Sequence, residues 1–130
     1  MRGAAVSWFS RTQKCVTLST SEAEYAALAY SFKEALFMRH VWSFLLPDYG
    51  LPCIKVFEDN QGATALASNP VSNSNSKHID VRHHFLRELV IRGEFCVAHV
   101  ESKYQHADFL TKPLDRNSFE FHRDFVMNMS

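Results

Sequence analysis

The chain has 130 residues, which suits one domain built around a single hydrophobic core. Hydrophobic residues make up 46% of it and charged residues 22%, an ordinary globular composition that argues against disorder of the whole chain. The 14 basic and 14 acidic side chains cancel, so the composition does not support a strongly basic nucleic-acid binder, although a local positive patch could still bind phosphates.

The three cysteines are widely spaced and form no CxxC pair, which argues against a disulfide framework and against a zinc ribbon. Cys15, Cys53 and Cys96 each lie in or beside an apolar stretch, so we expect buried, reduced thiols. We find no signal peptide at the N-terminus and no apolar run long enough to span a membrane. An intracellular protein without a membrane partner is therefore expected.

The first predicted element is a short strand over residues 4–10, which are mostly apolar or aromatic, and a loop over 11–19 follows it. Four aromatic side chains are expected in the core, with stacking on nucleotide bases as the less favoured alternative: Trp8, Phe9, Trp42 and Phe44.

A long helix is predicted over residues 20–46, followed by the helix-ending residues Pro47 and Gly50. Two overlapping capping boxes mark its start, Ser19 with Glu22 and Ser21 with Glu24. Its apolar face should consist of residues at helical spacing: Tyr25, Leu28, Phe32, Ala35 and Leu36.

The remaining predicted elements are a strand over 53–58, a short helix over 61–69, a polar loop over 70–76, a helix over 77–92, a strand over 94–100, a short helix over 106–111 and a last helix over 117–127. Val81, Phe85 and Leu89 give the third helix an apolar stripe, and Gly93 is expected just after its end. Alternating strands and helices predict one layered α/β domain over 1–130, with the second and third strands parallel and adjacent.

Three acidic residues lie where the chain enters or leaves the predicted sheet layer: Glu24, Asp59 and Asp108. Carboxylate oxygens are the ligands that Mg²⁺ prefers, and a pair of such ions can activate water for phosphodiester cleavage. The alternative interpretation is structural, because Glu24 could close a capping box, Asp59 could cap a helix, and Asp108 could be a first-turn acid favoured by the helix dipole. Their spacing alone leaves both interpretations open.

Four motifs bear on this choice: LSTSEAEYAAL at 18–28, FEDNQGATALASNP at 57–70, SKHIDVRHHFLRE at 76–88 and ADFLTKPL at 107–114. In this order and spacing they resemble the ribonuclease H domain of copia-type (LTR) retrotransposon polyproteins, and the resemblance covers nearly the whole chain. It implies a mixed sheet flanked by helices. It also implies two-metal hydrolysis of the RNA strand of an RNA–DNA hybrid, with Mg²⁺ (or Mn²⁺) as cofactor.

The resemblance assigns the catalytic and metal-binding carboxylates of that family to Glu24, Asp59 and Asp108. Glu22 is the rival of Glu24, which is favoured because Tyr-Ala-Ala-Leu follows it. Glu58, beside Asp59, is expected to point to the opposite face of its strand. The implied partners are an RNA–DNA hybrid and the reverse transcriptase portion of the polyprotein, in a cytoplasmic virus-like particle or in the nucleus.

The family's pattern begins with another aspartate on a first strand, whereas this sequence has no Asp before Asp48. The strand at 4–10 resembles the family's third strand, so we expect an N-terminally truncated domain without the first two strands. Three acids hold a metal pair less tightly than four, so the chain alone should be a poor or inactive nuclease. The open sheet could pair 4–10 with 53–58, form a homodimer through exposed edges, or leave the N-terminus partly ordered.

Four further residues are candidates for contacts with nucleic-acid phosphates. Lys77, His84 and Arg87 share one face of the third helix, and Lys112 lies in the TKP turn. A solvated charged face is the alternative interpretation.

The histidines give weaker indications. Zinc binding by His78, His83 and His84 is disfavoured, because their spacing matches no standard pair and no cysteine joins them. His99 and His106 flank the loop before Asp108, where a histidine could aid product release. A non-catalytic remnant, or a domesticated nucleic-acid or protein interaction module, is the alternative to a nuclease.

Overall fold

The computed structural model describes residues 3–14, 16, 17, 19–68 and 77–129, and for 77–83 the backbone only. The chain forms two compact units. The central unit is Cys15–His99, and the terminal unit combines Met1–Lys14 with Val100–Ser130. The prediction of one domain stays a prediction.

The long helix is confirmed as α1 (Thr20–Leu45). Its N-cap is Ser19, whose hydroxyl accepts a hydrogen bond of 3.1 Å from the backbone N–H of Glu22, as the first capping box predicts. The helix stops before a 3₁₀ turn at Pro47–Tyr49, and Gly50 follows with a φ of 69°. Three residues of the predicted apolar face are buried and two are half-buried: Tyr25, Leu28 and Phe32, then Ala35 and Leu36.

The rest of the central unit consists of β1 (Ile54–Glu58), α2 (Gln61–Ser68), α3 (Lys77–Ile91) and β2 (Phe95–His99). The two strands are parallel neighbours as predicted, with Ile54 opposite Phe95 and Glu58 opposite His99. Gly93 has a φ of 70° and donates its N–H to the carbonyl of Val90, which closes α3 in the expected way. The predicted loop 70–76 and the side chain of Val81 lie outside the described residues.

One apolar core holds the central unit together. Phe32 and Phe95 stack with their ring centroids 4.1 Å apart, so α1 is packed directly on β2. The other buried members come from all three helices: Tyr25, Leu28, Ala29, Ala63, Ala67, Leu86 and Leu89. Small alanines on α2 let that helix approach α1 closely, which brings the helix starts together near the end of β1.

The terminal unit is built around α4 (Arg116–Val126), whose N-cap Asp115 accepts a hydrogen bond from the N–H of Ser118. The predicted helix at 106–111 is a 3₁₀ helix, His106–Leu110, and another 3₁₀ turn occupies Ser102–Tyr104. The backbone N–H of Ala5 donates to the carbonyl of Val126 at 2.8 Å.

The predicted strand over 4–10 is wrong, because this described segment has no strand structure and is exposed throughout. A strand needs a ladder partner, and the described sheet consists of β1 and β2 alone. The four aromatics expected in the core are likewise exposed: Trp8, Phe9, Trp42 and Phe44. Trp42 and Phe44 lie beyond the part of α1 that contacts the core, so helical spacing no longer buries them.

The prediction of buried thiols is also wrong for the two described cysteines. Cys53 and Cys96 are free, as predicted, but both are exposed, whereas Cys15 lies outside the described residues. Cys96 pairs with Lys55 on the strand face that no described helix covers, because residues of a strand alternate between faces.

The observed fold class is α/β, with a small parallel sheet and four α-helices among the described residues. The finer ribonuclease H-like arrangement stays a prediction. None of the described helices combines the length and apolar character needed to cross a bilayer.

Candidate functional site

The helix acid and the strand-end acid both belong to the central unit. Glu24 lies near the start of α1, and Asp59 directly follows β1; both side chains are half-buried. Their negative charges act on one common neighbour, the carboxyl group of Glu58. The fold therefore brings both Glu24 and Asp59 close enough to Glu58 for their charges to act on it, although the two residues are far apart in the sequence.

Glu58 is the residue that sequence reasoning undervalued. It is 6% exposed and lies on the same strand face as Ile54 and Val56, which pack against the core. Burial is the main cause that raises its pKa from 4.5 to about 7, and the charges of Glu24 and Asp59 raise it further. The backbone N–H of Asn60 donates to its Oε1 at 3.0 Å and counteracts part of that rise. The alternation of β1 signals this burial, because Glu58 follows Val56 by two positions.

The chemistry of these side chains fits a hard divalent cation. Mg²⁺ is commonly held by one or two carboxylates and completes its coordination with water or substrate oxygens. Glu24 and Asp59 supply such carboxylates, and their combined charge, evident in its effect on Glu58, is what a cation would offset. Within the described parts of the chain, no three His, Cys, Asp or Glu side chains are grouped to hold a metal ion. A cation at Glu24 and Asp59 would therefore rely on water or substrate oxygens for its other ligands.

The third predicted acid lies in the terminal unit. Asp108 belongs to the 3₁₀ helix His106–Leu110, and its Oδ2 lies 2.8 Å from Nζ of Lys112. Lys112, which the sequence predicts to contact a phosphate, is therefore already paired with an acidic side chain. Convergence of Asp108 with the two acids of the central unit stays a prediction.

Comparisons with known proteins identify relatives along almost the whole chain. The retrovirus-related Pol polyprotein from transposon TNT 1-94 of Nicotiana tabacum is 39% identical over 126 residues, or 95% of this chain. Those from transposons RE1 and RE2 of Arabidopsis thaliana are 42% and 40% identical over 118 and 115 residues, each 88% of this chain. The chain is homologous to a segment of retrotransposon Pol polyproteins.

The Pol-related chain spans only 9% of the tobacco relative and 8% of each Arabidopsis relative. No family model matches it, and no solved structure matches it. The predicted relationship to retrotransposon polyproteins is thus confirmed, and the relatives' names leave the activity of this particular segment undefined.

The predicted phosphate-binding face of the Pol-related chain is only partly exposed. His84 is exposed, whereas Arg87 is half-buried, and its Nε is buried with no hydrogen-bond partner among the described residues. The charge of Arg87 acts on the phenol of Tyr25, whose pKa burial raises to about 12. Arg87 is therefore partly directed towards the core. The side chain of Lys77 lies outside the described residues, so the shared face stays a prediction.

The terminal unit contains a pair of histidines, His106 and His122, whose contact the sequence did not predict. Nδ1 of His106 lies 3.0 Å from Nδ1 of His122, which is 3% exposed. The ring of His106 stacks on Phe125 with centroids 3.7 Å apart. Burial, and then the neighbouring His122, lower the pKa of His106. The sequence does indicate that His122 lies beside Phe125, because the two residues are three positions apart and therefore share one face of α4.

Proposed function

We propose that the Pol-related chain is a ribonuclease H-type region that hydrolyses the RNA strand of an RNA–DNA hybrid with Mg²⁺ or Mn²⁺. The observation that carries this proposal is that the fold brings the helix turn that holds Glu24 next to the segment that holds Asp59, where Oγ of Ser21 donates to Oδ1 of Asn60 at 3.1 Å. Glu24 and Asp59 are the helix acid and the strand-end acid of the motifs. Relationship to Pol polyproteins supports the same assignment.

Glu24 and Asp59 would hold the cation through their carboxylate oxygens. A bound divalent cation would orient and polarise a water for attack, and it would offset charge on the cleaved phosphate. Asp108 stays the third predicted ligand, and its carboxylate forms an ion pair with Lys112. Glu58 is buried and has no assigned contact with the substrate.

The proposed setting is that of a polyprotein. The substrate would be the hybrid left by reverse transcription, and the reverse transcriptase portion of the polyprotein would be the partner. A cytoplasmic virus-like particle or the nucleus would be the location.

The deciding experiment is a cleavage assay with end-labelled RNA in an RNA–DNA hybrid, compared with the same RNA in an RNA–RNA duplex. We expect slow, Mg²⁺-dependent cuts in the hybrid only. Glu24→Gln and Asp59→Asn should remove this activity, because each variant deletes a ligand charge. Glu22→Gln is the matched control on the same helix turn and should retain it.

Two outcomes would overturn the proposal. One is the absence of both cleavage at single turnover and cation binding, with Mg²⁺ as with Mn²⁺. The other is cleavage that survives Asp59→Asn, which would indicate a contaminating nuclease.

The second candidate is an interaction module without catalysis. It is favoured by the absence, among the described residues, of three grouped metal-ligating side chains. Such a module would bind the hybrid with an affinity that falls as salt rises, and it would leave the RNA intact.

A further inference from the structure

A side-chain hydrogen bond joins the two segments that carry Glu24 and Asp59. Oγ of Ser21, in the first turn of α1, donates to Oδ1 of Asn60 at 3.1 Å. Ser21 lies three positions before Glu24 and therefore on nearly the same face of the helix. Asn60 directly follows Asp59. The bond therefore connects the helix turn next to Glu24 with the residue next to Asp59.

Asn60 is held in place by both its backbone and its side chain. Its Oδ1 also accepts the N–H of Ala63 at 3.0 Å, which caps α2. Its carbonyl accepts from the N–H of Thr64 at 3.0 Å and from Oγ1 of Thr64 at 3.1 Å. Its own N–H donates to Glu58. Ser21 is thus tied to a residue with little freedom to move.

A second contact constrains the same place independently of the hydrogen bond. A Cβ atom added at Gly62 would lie 2.4 Å from Oγ and 3.0 Å from Cβ of Ser21. Only glycine lets the first turn of α2 approach the first turn of α1 this closely. The hydrogen bond prevents separation of the two turns, and the bare backbone of Gly62 permits their short distance.

We propose that Ser21 and Asn60, with Gly62 as the spacer, are positioning residues that fix the separation of the Glu24 and Asp59 carboxylates for one divalent cation. This inference rests on the proposed function. Two carboxylates repel each other and drift apart unless the backbone holds them. Mg²⁺ demands near-ideal octahedral geometry, so a small change of separation weakens its binding.

The test measures cation binding rather than cleavage. Mn²⁺, which is paramagnetic and accepts oxygen ligands, is titrated into the ¹⁵N-labelled chain, and broadening of the amide signals near Glu24 and Asp59 gives the affinity. We expect Ser21→Ala to weaken binding about tenfold, the size typical for groups that orient metal ligands. Its melting temperature should change little, because alanine favours helix.

Ser31→Ala is the matched control, since Ser31 lies on the same helix and donates to the carbonyl of Ala27 within that helix. It should bind Mn²⁺ like the wild type. Gly62→Ala is the second variant and leaves every hydrogen-bonding group present. Alanine is the better helix former, so helix propensity alone predicts a neutral or stabilising change, whereas crowding of Ser21 predicts weaker Mn²⁺ binding.

The outcomes separate the two proposals. If the wild type shows no broadening near Glu24 and Asp59, the proposed function fails and the positioning role fails with it. If the wild type binds Mn²⁺ and both Ser21→Ala and Gly62→Ala bind equally well, the positioning role alone is refuted. Weakening that matches a loss of melting temperature would show a merely structural bond and would also refute it.

Discussion

Arg39 on α1 places Nη1 2.8 Å from Oε2 of Glu94, which directly precedes β2. The two side chains are 12% and 27% exposed, so this ion pair is largely shielded from water. Nε of Arg39 is buried and lacks a hydrogen-bond partner within the described residues. The guanidinium therefore depends on Glu94 for compensation of its charge.

We predict that Glu94→Gln lowers the free energy of unfolding by about 1–3 kcal/mol, because it leaves the charge of Arg39 unpaired in a shielded place. Urea denaturation followed by circular dichroism measures this change. The control is Glu88→Gln, which removes one of the acidic partners of Arg92, in a pair whose side chains are both 59% exposed. That substitution should alter stability by no more than about 0.5 kcal/mol. Equal losses in the two variants would contradict the prediction.

The stacked rings of Phe32 and Phe95 should dominate the stability of the central unit. Phe32 is 0% exposed, so Phe32→Ala should cost about 3–5 kcal/mol, through lost burial and the cavity left behind. Phe37 lies on the same helix and is 61% exposed, so Phe37→Ala should cost less than about 0.5 kcal/mol. Chemical denaturation compares them, and similar losses would show that the described core does not hold the unit together.

Local signals explain which elements could be predicted from the sequence. α1 carries its own cap at Ser19 and its own stop at Pro47, so no distant contact is needed to define its limits. The parallel pairing of β1 and β2 follows from the helices between them, because such crossovers join parallel strands. Gly93 likewise marks a helix end by conformation alone.

Features that depend on distant partners could not be predicted in the same way. The segment 4–10 has the composition of a strand, but a strand exists only with a neighbour to pair with, and composition does not reveal that neighbour. The closeness of Glu24 to Glu58 depends on how α1 packs against the sheet. The bond between Ser21 and Asn60 needs α1 to pack against the start of α2, where Gly62 adds no side chain. These contacts depend on how the helices and strands pack, and sequence spacing does not determine that packing.

Glu58 predicts a pH dependence of the central unit. Its pKa is raised from 4.5 to about 7, so the folded state binds its proton more tightly than the unfolded state does. The stabilisation is fully present below 4.5 and is lost as the pH rises through about 7. In metal-free buffer, we expect Glu58→Gln to be more stable than the wild type at about pH 8 and to lose this dependence.

Thermal melting across this pH range tests the prediction. Asp48→Asn is the control, because Asp48 is an exposed acid in the turn after α1. It should keep the pH dependence of the wild type. A Glu58→Gln variant that still loses stability as the pH rises from about 4.5 to about 8 would show that another group carries the effect.

The histidine pair predicts the opposite response in the terminal unit. Burial and the neighbouring His122 lower the pKa of His106 below its ordinary 6.5, so the unfolded state binds the proton more tightly. Stability contributed by this group is present above 6.5 and is lost as the pH falls through the lowered value. Amide hydrogen exchange in α4 should therefore show easier opening at about pH 5 than at about pH 7, after correction for intrinsic rates.

His106→Phe separates this effect from general acid destabilisation, because phenylalanine retains a ring to stack on Phe125 and does not titrate. At about pH 7 it should cost about 1 kcal/mol, since the buried Nδ1 of His122 loses its partner. On acidification the variant should lose less protection in α4 than the wild type does. If the two proteins lose the same protection, the pH response arises elsewhere, and the contact between His106 and His122 serves packing alone.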